Sequence, residues 1–295
     1  MNSISSKIVI GTVQFGLNYG INNKTGIPTN EEISKLLVFA NQNGIETLDT
    51  AYDYGESEKR LGKLIKQNDL KFNLISKAPK TSNRKNIFRY FDESLKKLQK
   101  KYIYGYLLHD FSCYQNDPQI IKSLHYLKEI NAVKKIGFSL ENPEQLEKLF
   151  ADNISFDLIQ FPYNIVDRRF EPYFGELKRK NVVIHTRSVF LQGLFFMNPD
   201  ELSPKLKPFK ELLHKLKELS KKNNRTIANI TLNFALQNEF INNVVLGIEN
   251  IKQLTMNLCE VNNLQNYEKN RLIDLEIKKI QIPQELLLPS NWRVK

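Results

Sequence analysis

Four side chains of this sequence could together move a proton onto a carbonyl oxygen: Asp49, Tyr54, Lys77 and His109. A free phenol has a pKa near 10, too high for easy proton donation at neutral pH. A cation within about 4–6 Å stabilises the phenolate and eases the transfer. Lys77 can supply that cation, and Asp49 can hold the ammonium and balance its burial. His109 can hydrogen-bond a substrate oxygen or relay a proton. The set makes a general acid for a carbonyl that becomes an alkoxide, and no nucleophile stands in it. Taken singly, each residue also has a plain reading: a loop cap, a strand-end charge, a surface aromatic, a packed histidine.

What joins them is the pattern of elements. Short apolar, β-branched runs alternate with amphipathic stretches along the whole chain. Strands are expected at 8–12, 46–49, 72–76, 104–108, 133–138, 157–161, 182–186 and 243–246. Helices are expected at 57–66, 87–98, 118–129, 143–150, 169–180, 206–221, 226–237 and 251–260, and one more opens at the capping box Thr29–Glu32. Eight strands alternating with helices predict a parallel sheet covered by helices. In one uninterrupted chain they fit a closed (β/α)8 barrel, an α/β TIM barrel spanning 1–295 as a single domain. No G-x-G-x-x-G follows a strand, which disfavours a Rossmann domain. Extra helices are expected between strands seven and eight and at the C-terminus. In such barrels the chemistry sits at the C-terminal strand ends. Asp49, Lys77 and His109 end three neighbouring strands, and Tyr54 lies in the loop after the first of them.

Composition excludes several other classes. The 295 residues are 41% hydrophobic and 25% charged, so the chain can bury a sizeable core. Two Cys, far apart, exclude a disulfide framework and fit a reducing compartment. With only four His they also argue against a metal site. No apolar stretch is long enough to span a membrane, and residues 1–10 do not read as a secretory signal, so the expected location is cytoplasmic. The net charge of +11 is spread as Lys along helix faces, with ten Arg. A nucleic-acid groove would want Arg and aromatics interleaved on one face. A basic protein would still attract phosphorylated small molecules.

At these residues the sequence resembles the aldo-keto reductase superfamily. The segment Asp49-Thr50-Ala51-Tyr52-Asp53-Tyr54-Gly55, with Glu58 and Leu61-Gly62 after it, is similar to the family signature, and Ser76-Lys77 and Leu108-His109-Asp110 match later motifs. The resemblance covers nearly the whole chain and implies a (β/α)8 barrel that reduces carbonyls with NADPH or NADH. It implies Tyr54 as general acid, Asp49 and Lys77 as the groups that tune it, and His109 as the residue that orients the carbonyl. It places cofactor contacts at Gly11 and Thr12 after strand one, at Ser139 and Gln160, and in the loop Ser188, Phe190, Gln192 and Gly193. After strand eight it adds Gly247, Gln253 and Asn257. Arg187 stands where the family usually has an aromatic stacked on the nicotinamide, and Leu140 replaces a carboxamide-binding Asn.

Phe15, Tyr19, Tyr52, Phe111 and Tyr163 follow expected strands and are candidates for a substrate pocket. The start Gly11-Thr12-Val13-Gln14-Phe15-Gly16 with Tyr19-Gly20-Ile21 resembles a bacterial subgroup linked to sugar and polysaccharide metabolism. That suggests a small-molecule carbonyl substrate, a sugar, nucleotide sugar or phosphorylated compound, with neither nucleic acid nor membrane as partner. Two rivals stand beside this reading: a nicotinamide-binding regulatory subunit of the same fold, and an isomerase or dehydratase that has lost hydride transfer. The segment after strand eight carries Lys252 as its one cation and Glu249 near a ribose position, which predicts weaker discrimination for NADPH than the family norm.

Overall fold

The computed structural model describes residues 4–23, 25–262 and 267–292. Eight parallel strands close into a barrel in sequence order: Ile8–Gly11 (β1), Thr47–Asp49 (β2), Asn73–Ala78 (β3), Ile103–Leu108 (β4), Val133–Ser139 (β5), Leu158–Pro162 (β6), Val183–Arg187 (β7) and Asn243–Gly247 (β8). β8 pairs back onto β1, with Gly11 opposite Gly247. The expected (β/α)8 architecture is therefore the observed one.

Around the barrel lie Asn30–Gln42 (α1), Ser57–Gln67 (α2), Ile87–Leu98 (α3), Ser112–Asn116 (α4), Ile120–Glu129 (α5), Pro143–Ala151 (α6), Phe174–Arg179 (α7), Lys210–Asn223 (α8), Ile227–Leu236 (α9), Ile251–Asn262 (α10) and Tyr267–Ile277 (α11). α1 shows why these segments fold as they do. Ile33, Leu36, Leu37 and Ala40 recur at helical spacing and are buried, and Thr29 and Glu32 complete a reciprocal capping box. Two expected helices begin later than the pattern suggested. Pro172 lacks an N–H and disfavours a continuous helix over 169–180, so a 3-10 turn, Glu171–Tyr173, precedes α7. Pro208 likewise leaves Pro204–Phe209 as a 3-10 segment ahead of α8. The short α4 in the loop after β4 carries no signal of its own in the sequence. α8, α9 and α11 are the expected additions, and a second apolar cluster around Leu194, Phe209, Leu216, Ile273 and Trp292 holds them against the chain after β7.

Register positions the site. Residues aligned across parallel strands share a face, and side chains alternate along each strand. Asp49 aligns with Ile75, Lys77 with Leu107, Leu107 with Gly137, Ser139 with Gln160, and Gln160 with His185. Asp49, Lys77, Ser139, Gln160, His185 and Arg187 thus all lie on the inner face, toward the C-terminal end of the barrel.

Candidate active site

The centre of the site is a buried ion pair. Lys77 Nζ donates to Asp49 Oδ1 at 2.5 Å and to the Thr50 carbonyl at 2.9 Å, and both ionic side chains are almost wholly shielded from water. Gln160 Nε2 donates to the other Asp49 oxygen, Oδ2, at 2.9 Å. Each carboxylate oxygen therefore has a donor, which a buried charge requires. Glu58 accepts from Ser76 Oγ at 2.6 Å and braces β3 beside Lys77 from below.

Tyr54 and His109 stand over this pair. Lys77 Nζ lies 5.2 Å from the centre of the Tyr54 ring. The Tyr54 and His109 rings meet edge-on, with centroids 5.5 Å apart. The loop carrying Tyr54 is fixed by a backbone contact: a Cβ on Gly16 would fall 1.8 Å from the Tyr54 carbonyl oxygen, so no side chain fits there. Arg60 holds the first loop down by donating to the carbonyls of Phe15 and Pro28.

Burial decides the protonation states. It raises the Tyr54 phenol above its ordinary value, and the Lys77 and Arg187 cations pull it only part of the way back. The lowering expected from Lys77 alone is thus outweighed, and Tyr54 holds its proton at neutral pH. Burial opposes the Lys77 ammonium too, but Asp49 and Tyr54 together carry its pKa above the usual lysine value. Burial, with Lys77 and Arg187 adding to it, pushes His109 down to about 3, so the imidazole is neutral at pH 7. A neutral imidazole donates one hydrogen bond and accepts another.

Above these residues opens a cavity of about 920 Å³. Tyr54, His109 and Asp49 line its floor, with Lys77 buried behind them. Every expected cofactor position lies on its wall: Gly11, Thr12, Ser139, Gln160, Arg187, Ser188, Phe190, Gln192, Gly193, Gly247, Gln253 and Asn257. The structure thus brings all twelve together. In the loop after β7, Ser188, Leu191, Gln192 and Gly193 adopt positive φ, a conformation that non-glycine residues hold only under constraint. Gln192 Nε2 donates to Tyr19 Oη at 2.7 Å, so the loops after β1 and β7 meet over the cavity. Gln253 Nε2 donates to Glu249 Oε2 and its carbonyl accepts the Glu249 N–H, which fixes that carboxylate at the wall.

Some liners had no signal in the sequence. Gln14 is buried beside Gly247, and a Cβ there would come within 2.6 Å of the Gln14 amide, which would have to shift. Its Oε1 has no hydrogen-bond partner among the described residues. Ser220, Thr226 and Glu260 close the far end of the cavity, and only the fold brings α8, α9 and α10 to it.

The aromatic candidates fare differently. Of the five, Tyr19 alone lines the cavity. Phe15 and Phe111 are packed in the core between barrel and helices. Tyr52 donates to Glu93 and lies under the Lys97 ammonium, 3.7 Å from its ring centre, away from the mouth. Tyr163 donates to Glu171, accepts from Asn238 and stacks on Phe234, so it belongs to a separate cavity beneath α9 and α11. Phe15, Tyr52, Phe111 and Tyr163 thus pack against partners away from the cavity, which their position after a strand does not reveal. His185 is packed inside the barrel as expected. The Cys113 thiol is pushed up to about 11 by burial, which leaves it unreactive.

A barrel whose inner C-terminal rim gathers an acid, a lysine, a phenol and a histidine matches one group of enzymes throughout. The Aldo/keto reductase family model matches residues 7–276, and the chain belongs to that family. The chain is 26% identical to the uncharacterized oxidoreductase YqkF of Bacillus subtilis over 261 residues, 81% of this chain and 83% of the relative. It is 25% identical to L-galactose dehydrogenase of Arabidopsis thaliana over 84% of each chain. Among solved structures, the holo form of aldo-keto reductase AKR11C1 from Bacillus halodurans superposes with a TM-score of 0.76 at 20% identity, over 96% of this chain and 95% of that one. The chain is therefore an oxidoreductase of a family that uses nicotinamide cofactors. Among the described residues no helix is long and apolar enough to cross a membrane.

Proposed function

We propose that the protein reduces an aldehyde or ketone to an alcohol with a reduced nicotinamide, using Tyr54 as general acid. The observation that carries this reading is the shielded Lys77–Asp49 pair set 5.2 Å from the Tyr54 ring at the floor of a large cavity. The cavity fits a dinucleotide: its wall pairs small residues, Gly11 and Gly247, with the orphaned Gln14 oxygen and the positive-φ loop. When bound there, the reduced nicotinamide supplies hydride to the carbonyl carbon. The chain's own groups serve the oxygen. His109, neutral, donates a hydrogen bond to the carbonyl. Tyr54 Oη gives its proton to the oxygen as negative charge develops. Lys77 stabilises the phenolate left behind, and Asp49 with Gln160 keeps the ammonium in place. Ser139, the loop Ser188–Gly193 and Asn257 hold the cofactor.

Either NADPH or NADH suits this cavity, with weaker discrimination for NADPH than the family norm. Glu249 and Glu260 line the far wall, and Lys252 is exposed outside it. A 2′-phosphate would meet carboxylates there, whereas a ribose hydroxyl can donate to them. Two free Cys support a cytoplasmic setting. A screen of aldehydes, ketoses and keto-nucleotide sugars, followed by loss of reduced-nicotinamide absorbance, tests the reading. Turnover of at least one class is expected, with NADPH favoured over NADH by far less than a thousandfold, roughly 4 kcal/mol. Tight nicotinamide binding with no turnover of any carbonyl would favour a regulatory subunit instead.

A further inference from the structure

We propose that Arg187 is the recognition point for a carboxylate on the substrate, so that the protein prefers 2-oxo acids, 2-oxo sugar acids among them, over neutral carbonyls. The proposal rests on the reductase reading and names the substrate class of that site.

Arg187 ends β7 on the inner face and lines the same cavity as Tyr54 and His109. It follows His185 by two residues on the inner face, and His185 aligns with Gln160, the donor to Asp49. It is half-buried, and one Nη2 hydrogen goes to the Leu140 carbonyl at 3.1 Å. Among the described residues no carboxylate forms an ion pair with it. Asp49, the acid on the cavity floor, has both oxygens taken by Lys77 and Gln160. Lys77 is already paired with Asp49, so the Arg187 guanidinium is the cation left to meet an incoming anion.

The rest of the cavity sharpens this. Arg187 is the one Lys or Arg among its described liners, and the other charged ones, Asp49, Asp53, Glu141, Glu249 and Glu260, are all acids. The one cation among the described liners therefore stands on the same inner rim as Asp49 and Gln160, where a substrate anion can pair with it. A guanidinium has five N–H donors in a planar fork. With one committed to Leu140, an edge remains that matches a planar carboxylate. A carboxylate seated there sets its neighbouring carbonyl toward Tyr54 and His109.

The test has two arms. In the first, oxamate, an isostere of a 2-oxo acid that hydride does not reduce, is titrated calorimetrically into the NADH-saturated protein and into Arg187→Met and Arg187→Lys. Oxamate is expected to bind the wild type, to bind Arg187→Met about 10- to 100-fold more weakly, and to recover partly with Arg187→Lys. In the second, kcat/KM is compared within matched pairs: pyruvate against acetone, 2-oxobutanoate against butanone, and glyceraldehyde 3-phosphate against glyceraldehyde. The acid-to-neutral ratio is expected to exceed one for the carboxylates and to fall about 10- to 100-fold in Arg187→Met. Direct titration of NADH into each variant reads the cofactor separately. An unchanged acid-to-neutral ratio with neutral carbonyls still reduced would overturn the proposal and leave the reductase intact. So would a preference confined to the phosphate, or a loss in Arg187→Met that falls on NADH rather than oxamate. Oxamate binding through Arg187 without turnover of any carbonyl would keep the anion site and sink the reductase reading.

Discussion

The β2–β4 side of the cavity and its β7–β8 side are built on opposite principles. On the β2–β4 side, Asp49 and Lys77 are shielded from water and every oxygen of the carboxylate is held by a donor. On the β7–β8 side, the wall is an exposed edge of α10 and a loop in which three non-glycine residues take positive φ, and near it the buried Gln14 oxygen lacks a partner. Proton transfer needs groups already in place and dry, because low dielectric strengthens the field of Lys77 on Tyr54 and reorganisation would cost rate. A dinucleotide brings its own hydrogen-bonding groups, so its cradle can stay incomplete until it arrives.

The largest contrast should appear on breaking the pair. Lys77→Met leaves Asp49 buried and unpaired, which costs about 3–5 kcal/mol of stability, measurable as a fall in urea midpoint. The double variant Asp49→Asn/Lys77→Met should lose less than the two single losses added. A simple sum would show that the pair is not coupled.

Acid should find the same rigid interior. Burial pushes His185 down to about 4 and His109 to about 3, whereas an unfolded histidine titrates near 6.5. Below pH 6.5 the unfolded chain binds more protons than the folded one, so stability is full above that pH and falls as pH drops toward 4. For His185 alone the loss is roughly 3 kcal/mol. His185→Leu should flatten the dependence of urea midpoint on pH between 6.5 and 4, and an unchanged slope would remove His185 as its source.

On the other side the effects are smaller. Glu249→Gln should shift the NADPH-to-NADH dissociation-constant ratio toward NADPH by about tenfold, or 1.4 kcal/mol, read by fluorescence titration at one ionic strength. Tyr19→Phe removes a single neutral hydrogen bond to Gln192. It should speed cofactor release by about threefold to tenfold in stopped flow, with kcat/KM for the carbonyl barely moved.

The same division separates what the sequence reveals from what it conceals. The barrel was legible because its strands are short, nearly continuous apolar runs that alternate with amphipathic helices, and the alternation of side chains along a strand carries Asp49, Lys77, Gln160 and Arg187 to one rim. The positions that motif resemblance assigns to a cofactor all line the one cavity. Side chains just past a strand end were not legible. Phe15, Tyr52, Phe111 and Tyr163 follow strands as Tyr19 does, yet they turn into the core or toward other partners. Nor could local pattern find Gln14 or Glu260, whose place in the site depends on Gly247 and on how α10 packs beside α9. The sign of the Tyr54 shift was missed for a related reason: a charge partner shows in a motif, but the depth of burial that outweighs it does not.

The most direct test of the account compares Tyr54→Phe with the wild type on one carbonyl substrate, while the dissociation constant for reduced nicotinamide is measured on the same preparations. Loss of the general acid should lower kcat by about 10²–10⁴ and leave cofactor affinity within about threefold. Near-normal turnover by a folded Tyr54→Phe protein would contradict the central claim and take the proton from another group.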